Sequence, residues 1–107
     1  MSKQEQIVLF INGNKNTLKN ALFHREIGFI DLIKGKGGED GYGISHIIEK
    51  HPDVIDNLYL IVEKSIVIEK LKDRIVLLHE ESVKSIVSLT WNKTKRKWLV
   101  TSYTKIK

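Results

Sequence analysis

A chain of 107 residues makes one domain, long enough to bury a core without staples and too short for two. At 41% hydrophobic and 29% charged residues it is globular in composition, and its lack of cysteine excludes disulfides, thiolate chemistry and zinc–sulfur sites. The net charge of +5 and pI near 9.5 suit a polyanionic partner, and equally a basic soluble protein with none.

The opening stretch MSKQEQIVLFING holds five consecutive apolar residues, Ile7 to Ile11, which predict a short strand closed by a turn at Asn12-Gly13. That run is shorter than a signal-peptide core and far below the roughly 18 residues of a membrane span. The expectation is a cytoplasmic protein without membrane contact, which would need a carrier to leave a cell. Asn16 to Phe23 reads as a helical turn or two with Thr17 near its cap. Ile27 to Lys34 (IGFIDLIK) is β-branched and aromatic, ends at Gly35, and reads as a strand.

Five of the seven glycines then fall between Lys34 and Pro52. They match neither GxxxxGK[ST] nor GxGxxG in its strand-to-helix setting, so a nucleoside-triphosphate or dinucleotide pocket is disfavoured. Two readings stay open for the glycines: a flexible connector, or a loop that brings an anion to a helix N-terminus. Ile44, Ile47 and Ile48 follow the i, i+3, i+4 rule of a buried helical stripe that Pro52 ends. Val54, Ile55, Leu58, Ile61 and Val62 repeat that spacing in a second helix, with Pro52 and Asp53 in its first turn.

After that the pattern becomes β. Residues 65–71, 74–80, 83–91 and 97–104 are rich in Val, Ile, Leu, Thr and aromatics, and short polar turns between them imply antiparallel hairpins. The expected fold is α+β and two-layered, with helices on one face of a four- to five-stranded antiparallel sheet.

On a helix, residues five apart lie about 140° apart around the axis, which argues against one metal joining His46 and His51. No HExxH pattern or Asp-rich calcium loop occurs, so neither metal nor cofactor is expected. His46 and Lys50 do share a face at i, i+4, with Ser45 beside them. A histidine next to a cation can exchange protons with a phosphorylated substrate, and it can equally be a half-buried helix residue bonded to backbone. In the last strand, alternation places Leu99, Thr101 and Tyr103 on one face, with Trp98, Val100, Ser102 and Thr104 on the other. Thr101 and Tyr103 suit a phosphate and a base, although both are common strand residues. Arg74 opens a strand as either a phosphate clamp or a solvated strand end. A basic tract, Lys93, Lys95, Arg96 and Lys97, falls between two strand-like runs.

The segment Ile27-Gly-Phe-Ile-Asp, Gly35, and Gly41-Tyr-Gly-Ile-Ser-His-Ile-Ile-Glu-Lys-His51 resembles the phage-associated barnase–EndoU–colicin–RelE-like nuclease domains. Those domains show a strand, a glycine, a variable insert and a G-[FY]-G-[LI]-x-H-I-x-x-x-H helix. An arginine-led strand follows, here Arg74-Ile-Val-Leu-Leu, and a closing strand, here Trp98-Leu-Val-Thr-Ser-Tyr103. The resemblance runs from about Ile27 to Thr104 within one domain spanning 1–107, leaving residues 1–26 as an extension.

The resemblance implies a metal-independent endoribonuclease, often a toxin, that attacks a phosphate with the adjacent 2′-OH. It implies His46, Arg74, Thr101 and Tyr103 as catalytic residues. His46 would be the base, and Tyr103 or His51 the donor to the leaving oxygen. Ser45, Lys50, His51, Lys97 and Trp98 would contact substrate. The partners implied are RNA, with tRNA as a first guess, and a cognate immunity protein or antitoxin. Two other classes stay open: a non-catalytic RNA-binding module using the Lys93–Lys97 hairpin and exposed aromatics, and a small protein-interaction factor whose glycine loop is only a connector. Nothing in the residues selects a particular RNA or an oligomeric state.

Overall fold

The computed structural model describes residues 2–105 and begins with a helix where the apolar run predicts a strand. Helix α1 spans Lys3–Asn12. Ser2 caps it: its hydroxyl accepts from the Glu5 amide, and the Glu5 carboxylate accepts from the Ser2 amide in return. Ile7 and Phe10, three apart, turn inward, while Val8 and Leu9 stay exposed.

The second departure is the mirror case. Asn16 to Phe23, expected to be helical, forms β1 (Thr17–His24), which pairs antiparallel with β2 (Gly28–Ile33). The register slips between Leu18 and Leu22, around Asn20, which has a φ of 53°. This bulge leaves Leu18, Ala21 and Leu22 as the inward residues, and their i, i+3, i+4 spacing imitates a helix. Asp31 on β2 holds the bulge by accepting from the Asn20 amide at 2.8 Å.

Helix α2 (Gly43–Lys50) follows as expected. The anticipated second helix is divided into a 3-10 turn at Pro52–Asn57 and α3 (Leu58–Lys64). The chain then forms β3 (Ile66–Lys70), β4 (Arg74–His79), β5 (Val83–Trp91) and β6 (Thr94–Thr104), joined as consecutive antiparallel hairpins.

The six strands form one sheet in the order β1-β2-β6-β5-β4-β3. The fold is α+β as expected, but the sheet has six strands rather than four or five. It is also mixed, because β2 pairs with β6 in parallel. A parallel neighbour needs a crossover, and the glycine loop, α2, α3 and the three-strand meander supply it. Registered pairing between β2 and β6 is confined to Asp31 and Trp98, and beyond it β6 runs on to Thr104 with α2 and the 3-10 turn beside it.

One core serves the whole chain. Ile7 and Phe10 of α1, Ile44 and Ile47 of α2, and Leu58, Ile61 and Val62 of α3 meet Leu22, Ile30, Leu77, Val87 and Leu99 of the sheet. α2 is therefore anchored by its isoleucine face, and its opposite flank is free to line a surface cleft.

Candidate active site

The α2 anchorage begins in the glycine loop. Gly43 has a φ of +77°, and a Cβ there would come within 2.5 Å of the Ile33 carbonyl oxygen, so only glycine lets the helix start this close to the end of β2. A Cβ on Gly41 would strike the Lys36 carbonyl oxygen. Lys36 and Tyr42 exchange backbone hydrogen bonds of 2.9 and 2.8 Å, and the Gly41 amide donates to Gly38. Residues 34–42 thus form a closed loop rather than a slack connector. The anion reading of the helix N-terminus loses a donor as well, because the Ser45 amide is already given to the Lys34 carbonyl at 2.8 Å.

That loop positions His46. Its Nδ1 lies 2.8 Å from the Gly38 carbonyl oxygen. A carbonyl can only accept, so Nδ1 carries the hydrogen and neutral His46 presents a bare Nε2. His46 is buried to 9% exposure, and its ring borders a cleft of about 470 Å³. Glu39, Lys50, His51, Thr101 and Tyr103 complete the cleft wall.

His51 is closer to His46 than helical spacing predicts, with ring centroids 5.1 Å apart. The 140° argument fails because α2 ends at Lys50, and His51 has left the helical path with φ −137° and ψ 52°. Its ring lies between those of His46 and Tyr103, 5.5 Å from the latter. Burial first, then the charge of His46, lowers the His51 pKa; Asp53 opposes the shift and Lys50 adds to it. Lys50 reaches Glu39 at 3.5 Å and Glu49 at 4.0 Å, leaving its ammonium paired but half in solvent.

The closing strand corrects another expectation. Val87 pairs with Leu99 and Ile86 with Thr101, so Val100 is an extra, bulged residue. The bulge reverses the alternation. Leu99 enters the core, and Thr101 and Tyr103 turn to the other face, in the rows of Ile86 and Lys84. Thr101 is 8% exposed, and its hydroxyl has no hydrogen-bond partner among the described residues. A buried hydroxyl without a partner is costly, and at the edge of a cleft it is an open acceptor or donor for a bound group.

Four of the nine residues expected at the site stand elsewhere. Arg74 pairs with Ser88, which pairs with Trp98, so it is two strand spacings (roughly 10 Å) from β6 and level with Trp98 rather than Thr101. Its nearest partner is Asp73, at 3.5 Å in solvent. Trp98 is 7% exposed, donates Nε1–H to the Thr90 carbonyl, and packs edge-on against Trp91 and Tyr42. Lys97 donates to the Ile27 carbonyl. Ser45 is outside the cleft wall. Together in the cleft are His46, Lys50, His51, Thr101 and Tyr103.

Two contributors were missed. Glu39 lay in a stretch that reads as a tolerant insert, and the orienting group of Gly38 is a carbonyl, which every residue carries. Among the described residues no group of three or more His, Cys, Asp or Glu is placed to hold a metal ion, and no helix is long and apolar enough to cross a membrane.

A family model described as phage-Barnase-EndoU-ColicinE5/D-RelE like nuclease matches residues 21–107, from the second half of β1 through the cleft to the end of the chain. No curated protein and no solved structure matches.

Proposed function

The chain belongs to the phage-associated barnase–EndoU–colicin–RelE-like nucleases, and from that premise we propose that it is an endoribonuclease acting by transesterification in the α2–β6 cleft. The observation that carries this reading is the pairing of two unspent groups there, the bare Nε2 of His46 and the unpartnered hydroxyl of Thr101.

His46 Nε2 takes the proton of a ribose 2′-OH as that oxygen attacks the adjacent phosphorus. The 2′-O–P bond forms and the P–O5′ bond breaks, leaving a 2′,3′-cyclic phosphate. The Tyr103 hydroxyl protonates the departing 5′ oxygen and is restored from solvent. Thr101 hydrogen-bonds a phosphate oxygen, and the Lys50 ammonium offsets the charge that accumulates on it. His51, with its lowered pKa, stays neutral at neutral pH and does not oppose the positive charge that His46 acquires. For this reason Tyr103 is the better of the two donors to the leaving oxygen. The nucleophile is part of the substrate, so the chemistry requires no metal, and DNA resists.

RNA cleavage inside a cell is harmful, so a toxin role with a protective partner protein follows from the same reading. The test is incubation with total RNA in chelator, followed by mapping of the cut ends. New 2′,3′-cyclic phosphate ends that vanish with His46→Ala are expected. Binding of RNA without such ends would replace the nuclease with a non-catalytic RNA-binding module.

A further inference from the structure

A second concave surface lies at the opposite end of β6 from Thr101 and Tyr103. It is a groove of about 580 Å³ bounded by the β1–β2 hairpin, the β5–β6 hairpin and the turn between β3 and β4. Its charged lining is Lys72, Lys95, Arg96 and Lys97 against the single carboxylate of Asp31. That carboxylate is already committed: one oxygen accepts from Arg96 Nε at 2.9 Å and the other from the Asn20 amide at 2.8 Å. Lys72 and Lys95 are exposed and form no ion pair among the described residues. The Lys72 turn is nonetheless held in place, because the Asp73 carbonyl accepts from the Leu89 amide at 2.9 Å.

The groove also holds an aromatic ring that the core does not use. Phe29 is 52% exposed and is braced edge-on by Phe23, with centroids 5.2 Å apart. Burial would stabilise this side chain by about 2 kcal/mol, yet the fold leaves it in solvent among cations. An exposed, braced ring beside unpaired ammonium groups is the combination that binds unpaired bases: the ring stacks on a base and the cations meet the flanking phosphates. A duplex offers no free base face, so a double-stranded ligand would leave Phe29 unused.

We propose that this groove is a second, non-catalytic subsite for a single-stranded RNA segment, with Phe29 as the stacking platform and Lys72 and Lys95 as the phosphate contacts. The proposal rests on the nuclease reading for its biological setting. Thr101 pairs with Ile86 and Lys95 with Thr90, and these partners are four residues apart on one face of β5, roughly 13 Å, so one strand of RNA can occupy both sites. The subsite therefore makes long unpaired substrates better than short ones.

The test uses the full chain and two ligands. A 15-nucleotide single-stranded DNA, which carries no 2′-OH, reports binding by fluorescence anisotropy whether or not the protein is a nuclease. Phe29→Ala is expected to weaken its binding about tenfold, with Phe29→Tyr restoring it. Lys72→Ala with Lys95→Ala should lower the log–log salt slope by about 0.7 for each lysine removed. For cleavage, Phe29→Ala should raise KM for a 15-nucleotide RNA while leaving kcat/KM for a dinucleotide unchanged.

Unchanged binding in both the phenylalanine and the lysine variants overturns the subsite. Equal loss of affinity for polyaspartate also overturns it, because the groove would then read acidic protein. If no RNA is cut but the groove variants still lose the oligonucleotide, the nuclease reading falls and the subsite stands. Because Phe29 is half exposed, melting of Phe29→Ala within a few degrees of the parent shows that a binding loss does not come from unfolding.

Discussion

Two buried histidines differ in how much of each ring the chain itself uses. His24, at the end of β1, is fully buried, and both of its nitrogens are used. Nδ1 accepts from the Glu26 amide at 3.1 Å, so Nε2 carries the hydrogen and donates to the Ser65 carbonyl at 2.7 Å. His46, on α2, spends Nδ1 on the Gly38 carbonyl and keeps Nε2 for the cleft. Burial alone does not distinguish them, and neither does a bond to backbone. The second nitrogen does: a ring satisfied twice by the chain cannot serve a substrate, and a ring satisfied once is oriented to do so.

The widest break between the two is expected from paired alanine variants. His46→Ala should reduce RNA cleavage by about 10²- to 10⁴-fold, the range of a lost general base, with the melting curve little changed. His24→Ala should do the reverse. It leaves the Ser65 carbonyl without its donor in the core, costing about 1–3 kcal/mol, while activity per folded molecule is retained. Circular-dichroism melting and a cleavage assay on the same samples separate the outcomes. If His24→Ala loses activity before it loses fold, the distinction by free nitrogen fails.

The same contrast explains what the sequence disclosed. The isoleucine stripe of α2, the β-rich second half and the histidine–lysine face were legible because periodicity and local spacing report them directly. The two amino-terminal elements were not. Leu18, Ala21 and Leu22 carry a helical period only because Asn20 bulges, and a bulge has no signature in apolar pattern. α1 was recoverable from the Ser2 and Glu5 capping box, a signal outweighed by the apolar run after it. At the site, the Val100 bulge turned Thr101 away from Leu99, and the end of α2 brought His51 to His46. Both are single-residue departures from ideal geometry that a fixed period cannot contain. Arg74 stands outside the cleft for a reason of a different kind: a strand's first residue says nothing about how many strands away its neighbours lie.

A smaller effect sharpens the cleft itself. Thr101→Val keeps shape and removes the unpartnered hydroxyl, so it should lower kcat by about tenfold while leaving stability equal or higher, since a buried polar group without a partner is lost. Loss of stability with unchanged kcat would mean that the hydroxyl has a structural partner. Arg74→Ala should change cleavage less than about twofold, as expected of a solvated side chain away from the reacting phosphate. A large loss of kcat there would return the strand-opening arginine to the catalytic set.

The finest difference lies within the histidine pair and is read by NMR titration of the His51 ring. Its midpoint should fall below the ordinary value of 6.5, because burial and the neighbouring His46 both disfavour the charged form. The folded chain then binds this proton more weakly than the unfolded chain, so ∂ΔG/∂pH is positive through the window. The His51 contribution to stability is complete above 6.5 and declines as pH falls through 6.5 toward the folded midpoint. His46→Ala removes a like charge and should move the midpoint up; Asp53→Asn removes an opposing one and should move it down. Opposite shifts from substitutions on either side of one ring are a signature that altered packing alone does not produce. If both variants move the midpoint the same way, His51 responds to solvent exposure and not to its neighbours, and the mutual charge effect assigned to the pair is absent.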